Sequence, residues 1–166
     1  MEGNPYYAWH AKGQTPIKKQ KLDMHKGKNI FGALSVRTGK VIHLTVQKKN
    51  GQSAIKLLEK AEYFKDEYYG KQAKTLLIWD NVSCHKSKEV KDWLKNNPNK
   101  IELDNFPPYS PEMNPIEKVW KKMKQKINQM RGGSTLTETT KKAREFLKNN
   151  TFNYKLLGLD SFRIFK

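Results

Sequence analysis

Two acidic residues stand where their side chains could share a metal ion. Asp80 follows the apolar run Thr75–Trp79, and Glu117 lies at the start of a later predicted helix. An aspartate at the end of a buried strand leaves the core with its backbone fixed and its carboxylate at the sheet edge. Two carboxylates from separate elements can converge on Mg²⁺, which takes a few carboxylates together with water and substrate phosphate. The pair therefore predicts a divalent metal site.

Each carboxylate also has an interpretation without catalysis. Asp80 precedes Asn81, and an Asp-Asn pair commonly stabilises a loop by capping its own backbone. Asn114, Pro115 and Glu117 resemble a helix-capping box, with Asn as the N-cap, Pro at the first helical position and Glu at the third. On the residues alone, these alternatives stay open beside the metal site.

The loop after Asp80 contains a cysteine and a histidine side by side. Cys84 and His85 do not predict a zinc site, because zinc needs three or four protein ligands and no further partner is evident. Two interpretations of His85 remain open: it orients Asp80 or a phosphate, or it only completes the loop. Cys84 is predicted to be a small buried hydrophobic residue.

The charge of the chain indicates a polyanionic partner. The net charge is +17, from 33 Lys and Arg against 16 Asp and Glu. Such an excess favours binding to nucleic acid. Nearly all of these cations are Lys, which suits phosphate contacts better than bidentate reading of bases. The alternative is a lysine-rich surface that is merely solvated.

Cysteine usage and hydropathy indicate an intracellular protein. Cys84 is the single cysteine, so no intrachain disulfide can form, which fits a reducing compartment. No apolar run approaches the roughly 18 residues that span a bilayer, and the N-terminus has no signal-peptide pattern. We therefore expect a cytoplasmic or nucleoid-associated protein without a membrane partner.

The hydrophobic pattern predicts a hairpin followed by alternating helices and strands. The strands Ile30–Val36 and Lys40–Val46 flank Arg37-Thr38-Gly39, which is typical of a β-hairpin. The continuous apolar run Thr75–Trp79 predicts a strand that is buried on both faces. The remaining predicted elements are helix Ser53–Tyr68, a helix through Val90–Leu94 ended by Asn97-Pro98, strand Ile101–Phe106, helix Pro115–Met130 and helix Thr137–Lys148.

This order predicts one α/β domain over residues 1–166, with a mixed sheet flanked by helices. Residues 1–29 are interpreted as an irregular basic lead-in, 30–130 as the core, and 131–166 as a C-terminal helix and tail. In open sheets of this kind, functional groups collect outside the carboxyl ends of the strands. Asp80 lies at such an end.

The helix that begins at Pro115 has a face on which all charged side chains are positive. Ile116, Val119 and Met123 lie on its apolar side, and no acidic residue follows Glu117 within it. A solvated helix usually mixes both signs, so this face predicts a ridge that contacts phosphates, with a merely solvated face as the alternative. The predicted DNA-contacting residues are Lys118, Lys121, Lys122, Lys124, Lys126 and Arg131.

Two sequence blocks carry a resemblance to a known family. The block WDN-x3-H followed by PPYSPEMNPIEKVW resembles the catalytic domain of mariner-type transposases, especially their prokaryotic insertion-sequence branch. The upstream YYAWHAKGQTP is similar to the Trp and Gly-Gln segment of that branch, so the resemblance covers roughly residues 4–130. It implies an RNase H-like fold that performs metal-dependent cleavage and strand transfer of DNA.

The same resemblance implies an acidic triad of two Asp and one Glu that binds two Mg²⁺ or Mn²⁺ ions. Asp80 matches the second Asp of the family and Glu117 matches the final Glu. Asn81 and His85 match positions beside the metal site, and Asn114 of the NPIE segment is a further supporting residue.

The sequence departs from the family's pattern at the first Asp of the acidic triad. In the family, the first Asp lies on the first sheet strand, shortly before the Trp that corresponds to Trp9. Here Trp9 is nearly at the start, and Glu2 is the only acidic candidate in that interval. The chain is therefore interpreted as the back portion of a transposase that lacks the first strand: a decayed copy, an internal-start product or the second half of a split reading frame.

Two functions follow from this interpretation. The first is a metal-dependent DNA transferase or endonuclease, and the second is a catalytically dead basic fragment that binds DNA and competes or pairs with an intact transposase. A missing strand leaves an open sheet edge whose backbone groups lack partners. We therefore expect marginal stability, or pairing with another chain as a homodimer or with an intact transposase.

Overall fold

A computed structural model describes residues 27–129 and 135–153 of the chain. The predictions that rest on Glu2, on Arg131 and on the absence of the first strand lie outside the described residues. Within them, the elements are β1 (Asn29–Leu34), β2 (Val41–Val46), α1 (Gly51–Tyr69), β3 (Thr75–Trp79), α2 (Lys88–Asn96), β4 (Ile101–Asn105), α3 (Pro115–Gln129) and α4 (Leu136–Asn149).

The predicted hairpin is confirmed. β1 and β2 pair antiparallel, with Leu34 opposite Val41. The turn is closed by the Ser35 amide, which donates to the Lys40 carbonyl at 2.9 Å. Gly39 has a φ of +67°, and a side chain there would meet Asn153. Both strands are shorter at the turn than predicted, because the residues between Leu34 and Val41 form the turn.

The strands of the described residues form two separate sheets. β3 and β4 pair parallel, with Trp79 opposite Asn105, while β1 and β2 form the other sheet. The predicted α/β class is confirmed. The single mixed sheet that was expected is not continuous here, because β1 and β3 are not hydrogen-bonded to each other.

The helices begin and end where the local sequence provides caps. Asn50 Oδ1 accepts a hydrogen bond from the Ser53 amide at the start of α1, and Gly70 ends this helix. Thr135 and Glu138 form a reciprocal capping box at the start of α4. None of the described helices combines the length and apolar character needed to cross a membrane.

Two apolar clusters lie on opposite faces of the hairpin. Leu58 of α1 and Val90 of α2 are fully buried in the first cluster, which also contains Ile42. Val119 of α3 and Leu147 of α4 are buried in the second. Alternate residues of β1 and β2 face the two clusters, as the period of a strand requires.

The prediction that β3 is buried on both faces is wrong. Leu77 and Trp79 face the first cluster, but Leu76 and Ile78 point to the other face and are 39% and 43% exposed. The reason is tertiary, since α3 packs against β1 and leaves this face of β3 uncovered.

Leu58 tests how much stability the first cluster supplies. Truncation of a fully buried leucine to alanine costs about 2–5 kcal/mol, which is a large part of the roughly 5–15 kcal/mol that stabilises a typical domain. We expect Leu58→Ala to unfold at much lower urea concentration, as measured by circular dichroism. Tyr63→Ala, on the exposed side of the same helix, is the matched control. Equal midpoints for the two variants would contradict the assigned core.

His43 of β2 makes the stability depend on pH. Burial lowers its pKa below the ordinary value, and the nearby cations Lys60 and Arg144 lower it further, against the effect of the Val41 carbonyl. The unfolded state therefore takes up a proton more readily than the folded state, and stability falls as pH drops below about 6.5.

We expect urea midpoints to fall between pH 7.5 and pH 5.5, and to fall less in His43→Gln. This variant cannot take up the proton on unfolding, so the difference between the two proteins isolates the histidine. Parallel pH profiles would show that His43 does not contribute.

Candidate active site

Asp80 is held at the carboxyl end of β3 by bonds between two neighbouring loops. The Phe106 amide donates to the Trp79 carbonyl at 3.0 Å. The side-chain amide of Asn81 donates to the Phe106 carbonyl at 2.9 Å. The loops that leave the two parallel strands are therefore tied together directly beside Asp80.

His85 has a fixed position next to Asp80. Its ring stacks on Trp79 with 4.3 Å between centroids and 5° between planes, and Phe31 lies 6.1 Å away. Nδ1 lies 3.1 Å from Asp80 Oδ1 and 3.2 Å from the Asp80 carbonyl oxygen. Because both neighbours are acceptors, the hydrogen is assigned to Nδ1. This geometry suits the orientation of Asp80, one of the interpretations that the sequence left open.

Glu117 lies in the first turn of α3 and is exposed. Asn114 Oδ1 accepts from the Ile116 amide at 3.4 Å, so Asn114 caps the helix. The backbone amide of Asn114, however, donates to the Pro111 carbonyl at 3.1 Å. No reciprocal bond from Glu117 to this amide is found among the described residues, in contrast to the box at α4. The carboxylate of Glu117 is therefore not used as a cap.

The structure brings Asp80 and Glu117 to the walls of the same two cavities. The larger cavity has a volume of about 270 Å³ and is also lined by His85 and Asn114. The smaller has a volume of about 190 Å³ and is also lined by Asn81 and Asn114. The predicted catalytic and supporting residues thus surround one region at the carboxyl end of β3.

The donor set fits a divalent cation, although only in part. Asp80 Oδ1 is buried and makes no hydrogen bond. His85 Nδ1 is near enough for a charge interaction, but its hydrogen bond goes to the Asp80 carbonyl. A buried carboxylate oxygen whose one near donor bonds to another atom is uncommon, and a bound cation would stabilise it. Within the described ranges, no group of three or more His, Cys, Asp or Glu could hold a metal ion.

Cys84 is confirmed as a small buried residue. Burial raises the pKa of its thiol above the ordinary value, and the negative charge of Asp80 adds to this effect. A thiol with a raised pKa is protonated at neutral pH and is a poor nucleophile. Its contribution is therefore packing beneath the loop.

The amphipathic arrangement of α3 is confirmed as far as the helix is described. Ile116, Val119 and Met123 are buried in the second cluster. The exposed lysines of the other face are Lys118, Lys121, Lys122, Lys124 and Lys126. The helix thus carries Glu117 at its start and a basic surface along its length.

Tyr109 is a residue of this region that sequence reasoning missed. It is fully exposed, has a φ of 59° and lines the smaller cavity. A non-glycine residue in this conformation is uncommon, and such residues concentrate at functional sites. The only signal in the sequence is an aromatic residue between prolines in PPYSP. That segment supported the family resemblance, but Tyr109 was not predicted as a site residue.

Comparisons with known proteins agree with the motif that surrounds these residues. Residues 2–139 match the model of a family described as DDE superfamily endonuclease. The chain is 35% identical over 147 residues to a Shigella sonnei protein named "Insertion element IS630 uncharacterized 39 kDa protein". That alignment covers 84% of the chain and 39% of the relative. The chain therefore spans about two fifths of the length of this curated relative.

Two solved structures are similar at 16% sequence identity. One is the catalytic core domain of BIV integrase, with a TM-score of 0.47 over 70% of this chain and 72% of that chain. The other is the catalytic domain of Mos1 mariner transposase, with a TM-score of 0.49 over 76% of this chain and 79% of that chain.

Proposed function

The chain belongs to the DDE superfamily endonucleases, and on that premise we propose that it is a transposase catalytic domain that cleaves and joins DNA phosphodiester bonds with Mg²⁺ or Mn²⁺. The observation that supports this most is the meeting of Asp80 and Glu117, from separate elements, at the same two cavities. Mg²⁺ and Mn²⁺ prefer such oxygen ligands.

In this proposal Asp80 and Glu117 hold the ion. Oδ1 of Asp80 is the buried oxygen without a hydrogen bond, and His85 limits the rotation of this carboxylate through its position at 3.1 Å. Asn114 sets the direction of the first turn of α3 and thereby of Glu117. Asn81 holds the two loops together. When bound, the ion supplies Lewis-acid activation of the phosphodiester and stabilises the charge that develops there.

The complete family site uses a third carboxylate and two ions, and the described residues supply two carboxylates. Glu2 is the candidate that the sequence offers for the third carboxylate. A site with two acidic ligands binds Mg²⁺ or Mn²⁺ more weakly than a complete one, because fewer protein charges offset the loss of hydration.

DNA is the proposed substrate. The lysines of α3 lie on the helix that carries Glu117 in its first turn. A phosphate backbone that follows this face therefore passes close to the carboxylates. The net charge of +17 strengthens that attraction without sequence preference. Tyr109, exposed at the smaller cavity, offers an aromatic surface on which a base of an opened strand can stack.

A second candidate function is DNA binding without catalysis. It is favoured by the lack, among the residues that the structure describes, of any group of three metal-binding side chains. In this case the chain competes or pairs with an intact transposase. Both candidates predict DNA binding, but only the first predicts a response to metal.

Mn²⁺ binding tests the proposed site without requiring activity. At an ion concentration about ten times the dissociation constant, binding stabilises the fold by roughly 1.4 kcal/mol, which raises the Tm of a domain of this size by about 3–5 °C. We expect this rise in the wild-type chain and its loss in Asp80→Asn and Glu117→Gln. Each variant is compared with its own Tm without metal.

Asp92→Asn is the matched control, because Asp92 is an exposed acid on α2, outside both cavities. An equal rise in Asp80→Asn would show that the ion binds elsewhere. No rise in any protein, together with undiminished DNA binding, would favour the non-catalytic candidate.

A further inference from the structure

Strand β1 contacts a different part of the protein on each of its faces. Phe31 and Gly32 are consecutive in this strand, so they face opposite sides of the hairpin. Phe31 packs on the first cluster. Ile30 and Leu34, which share the face of Gly32, pack on the second cluster. The two sides of β1 are therefore in contact with the two halves of the core.

On the first face, β1 contacts the histidine beside Asp80. The centroid of the Phe31 ring lies 6.1 Å from that of the His85 ring. His85 Nδ1 in turn lies 3.1 Å from Asp80 Oδ1. A displacement of β1 on this face would therefore reach the imidazole that orients Asp80.

On the second face, β1 contacts α3 at Gly32. A Cβ atom at this position would lie only 2.9 Å from Trp120 Cη2 and 3.2 Å from Trp120 Cζ2. Non-bonded carbon atoms pack at about 3.5–4.0 Å, so the absence of a side chain is what admits the indole. The Ile42 carbonyl oxygen, at 3.1 Å from the same Cβ position, belongs to β2 and cannot yield without a movement of the hairpin.

The backbone conformation gives no other reason for a glycine in β1. Among the described glycines, Gly39 and Gly70 are the two with positive φ, so Gly32 has a conformation that other residues adopt. A glycine inside a strand weakens the strand and often marks the close approach of another group. Close approach of Trp120 is therefore the physical role that remains for Gly32.

Trp120 connects this contact with Glu117. The two residues are three positions apart in α3, so their side chains lie on neighbouring turns of the same helix face. Both line the cavity of about 270 Å³, together with Gly32 and Asp80. The depth at which the indole packs on β1 therefore sets the position of the first turn of α3 relative to the hairpin.

We propose that Gly32 is a positioning residue of the candidate metal site. By admitting the indole of Trp120 against β1, it fixes the distance between Glu117 and Asp80. β1 is the common reference for both carboxylates, since its opposite faces contact α3 and the loop that carries Asp80. A larger residue at position 32 moves α3 or the hairpin, and either movement changes this distance. The consequence for metal binding rests on the proposed function, whereas the packing does not.

Mn²⁺ affinity, measured by isothermal titration calorimetry on the folded chain, tests this consequence. We expect Gly32→Ala to weaken Mn²⁺ binding by about 10-fold or more, because the loss of groups that orient metal ligands costs 10–100-fold in affinity. Gly27→Ala is the matched control, since a Cβ atom at Gly27 meets no described atom within 4 Å. This control should bind Mn²⁺ as the wild-type chain does.

A second substitution tests the route through Trp120. Phenylalanine lacks the indole atoms that the added methyl group would meet, so Trp120→Phe should tolerate alanine at position 32. We expect the double variant Gly32→Ala/Trp120→Phe to bind Mn²⁺ within about threefold of Trp120→Phe alone, because substitutions at residues in contact are not additive. If Gly32→Ala alone does not fold, the double variant should fold, since the steric clash is removed.

Amide NMR spectra without metal test the geometry separately from the proposed function. Gly32→Ala should change the chemical shifts of residues 114–117, which lead into the first turn of α3. The same alanine in the Trp120→Phe background should leave these shifts unchanged. Changes confined to β1 and β2 would overturn the proposal, because they would mean that the methyl group is accommodated within the hairpin.

Three further results would overturn the proposal. Wild-type Mn²⁺ affinity in folded Gly32→Ala, whatever its Tm, would mean that the glycine serves packing alone. An equal loss of affinity on adding the alanine with or without Trp120→Phe would mean that the methyl group acts by another route. A double variant that fails to fold would mean the same. If the wild-type chain binds no Mn²⁺, the proposed function fails, and the NMR comparison still decides whether Gly32 positions α3.

Discussion

Asp80→Asn should lower Mn²⁺-dependent nicking of supercoiled plasmid DNA by about 100-fold or more. Groups that only support metal ligands already cost 10–100-fold in metal affinity or activity when they are removed, and Asp80 is proposed as a ligand itself. The substitution keeps the size of the side chain and removes its charge. The buried Oδ1, which makes no hydrogen bond, would then lack the attraction for a cation.

The measurement is the rate of conversion of supercoiled to open-circular plasmid at equal concentrations of folded protein. Asp92→Asn, an exposed acid outside the two cavities, should nick at the wild-type rate. Nicking that persists in Asp80→Asn would indicate a contaminating nuclease or another site. If the folded wild-type chain nicks the plasmid no faster than Asp80→Asn does, the result favours DNA binding without catalysis.

The affinity for duplex DNA should fall steeply with salt, and the face of α3 should carry much of this dependence. A protein that neutralises 6–10 phosphates loses about 10³–10⁵-fold in affinity between 50 and 200 mM salt. Each lysine that contacts one phosphate contributes about 0.9 to the slope of log K against log salt. A variant with Lys121, Lys124 and Lys126 all replaced by Gln should therefore reduce the slope by roughly 2.7.

Fluorescence anisotropy with a labelled duplex, at several salt concentrations, measures both quantities. The matched control replaces Lys56, Lys91 and Lys95 by Gln, which removes the same charge from exposed positions of α1 and α2. Equal slopes for the two variants would show that binding follows the net charge and not the α3 face. A flat salt response of the wild-type chain would exclude phosphate neutralisation as the source of binding.

The local elements of this chain were predictable because their signals are local. The alternation of Ile30–Val36 and Lys40–Val46 indicated the hairpin, and a glycine in the intervening turn indicated where it reverses. Helix boundaries agreed with the structure to within about two residues, because apolar periodicity and caps such as Asn50 are properties of neighbouring residues. The motif around Asp80 and Glu117 also identified the family before any comparison.

The part of the site that could not be predicted depends on which hydrogen bonds are made across loops. Asn114 and Glu117 had the pattern of a capping box, and only the structure shows the Asn114 amide bonded to Pro111. The orientation of His85 between Trp79 and Asp80 likewise depends on a ring stack across the loop. Sequence spacing limits such choices but does not select among them.

By itself, the sequence determined the order and type of the elements, the basic face of α3 and the family to which the chain belongs. These follow from residue periodicity, charge and motif, which are all encoded along the chain. Only the tertiary structure decided that the described strands form two sheets, that Leu76 and Ile78 of β3 are half exposed, and that β1 and β3 line the same cavity as Asp80 and Glu117. The physical reason is that strand burial and pairing depend on neighbours that are distant in sequence. An apolar run such as Thr75–Trp79 therefore gives the same local signal whether or not another element covers it.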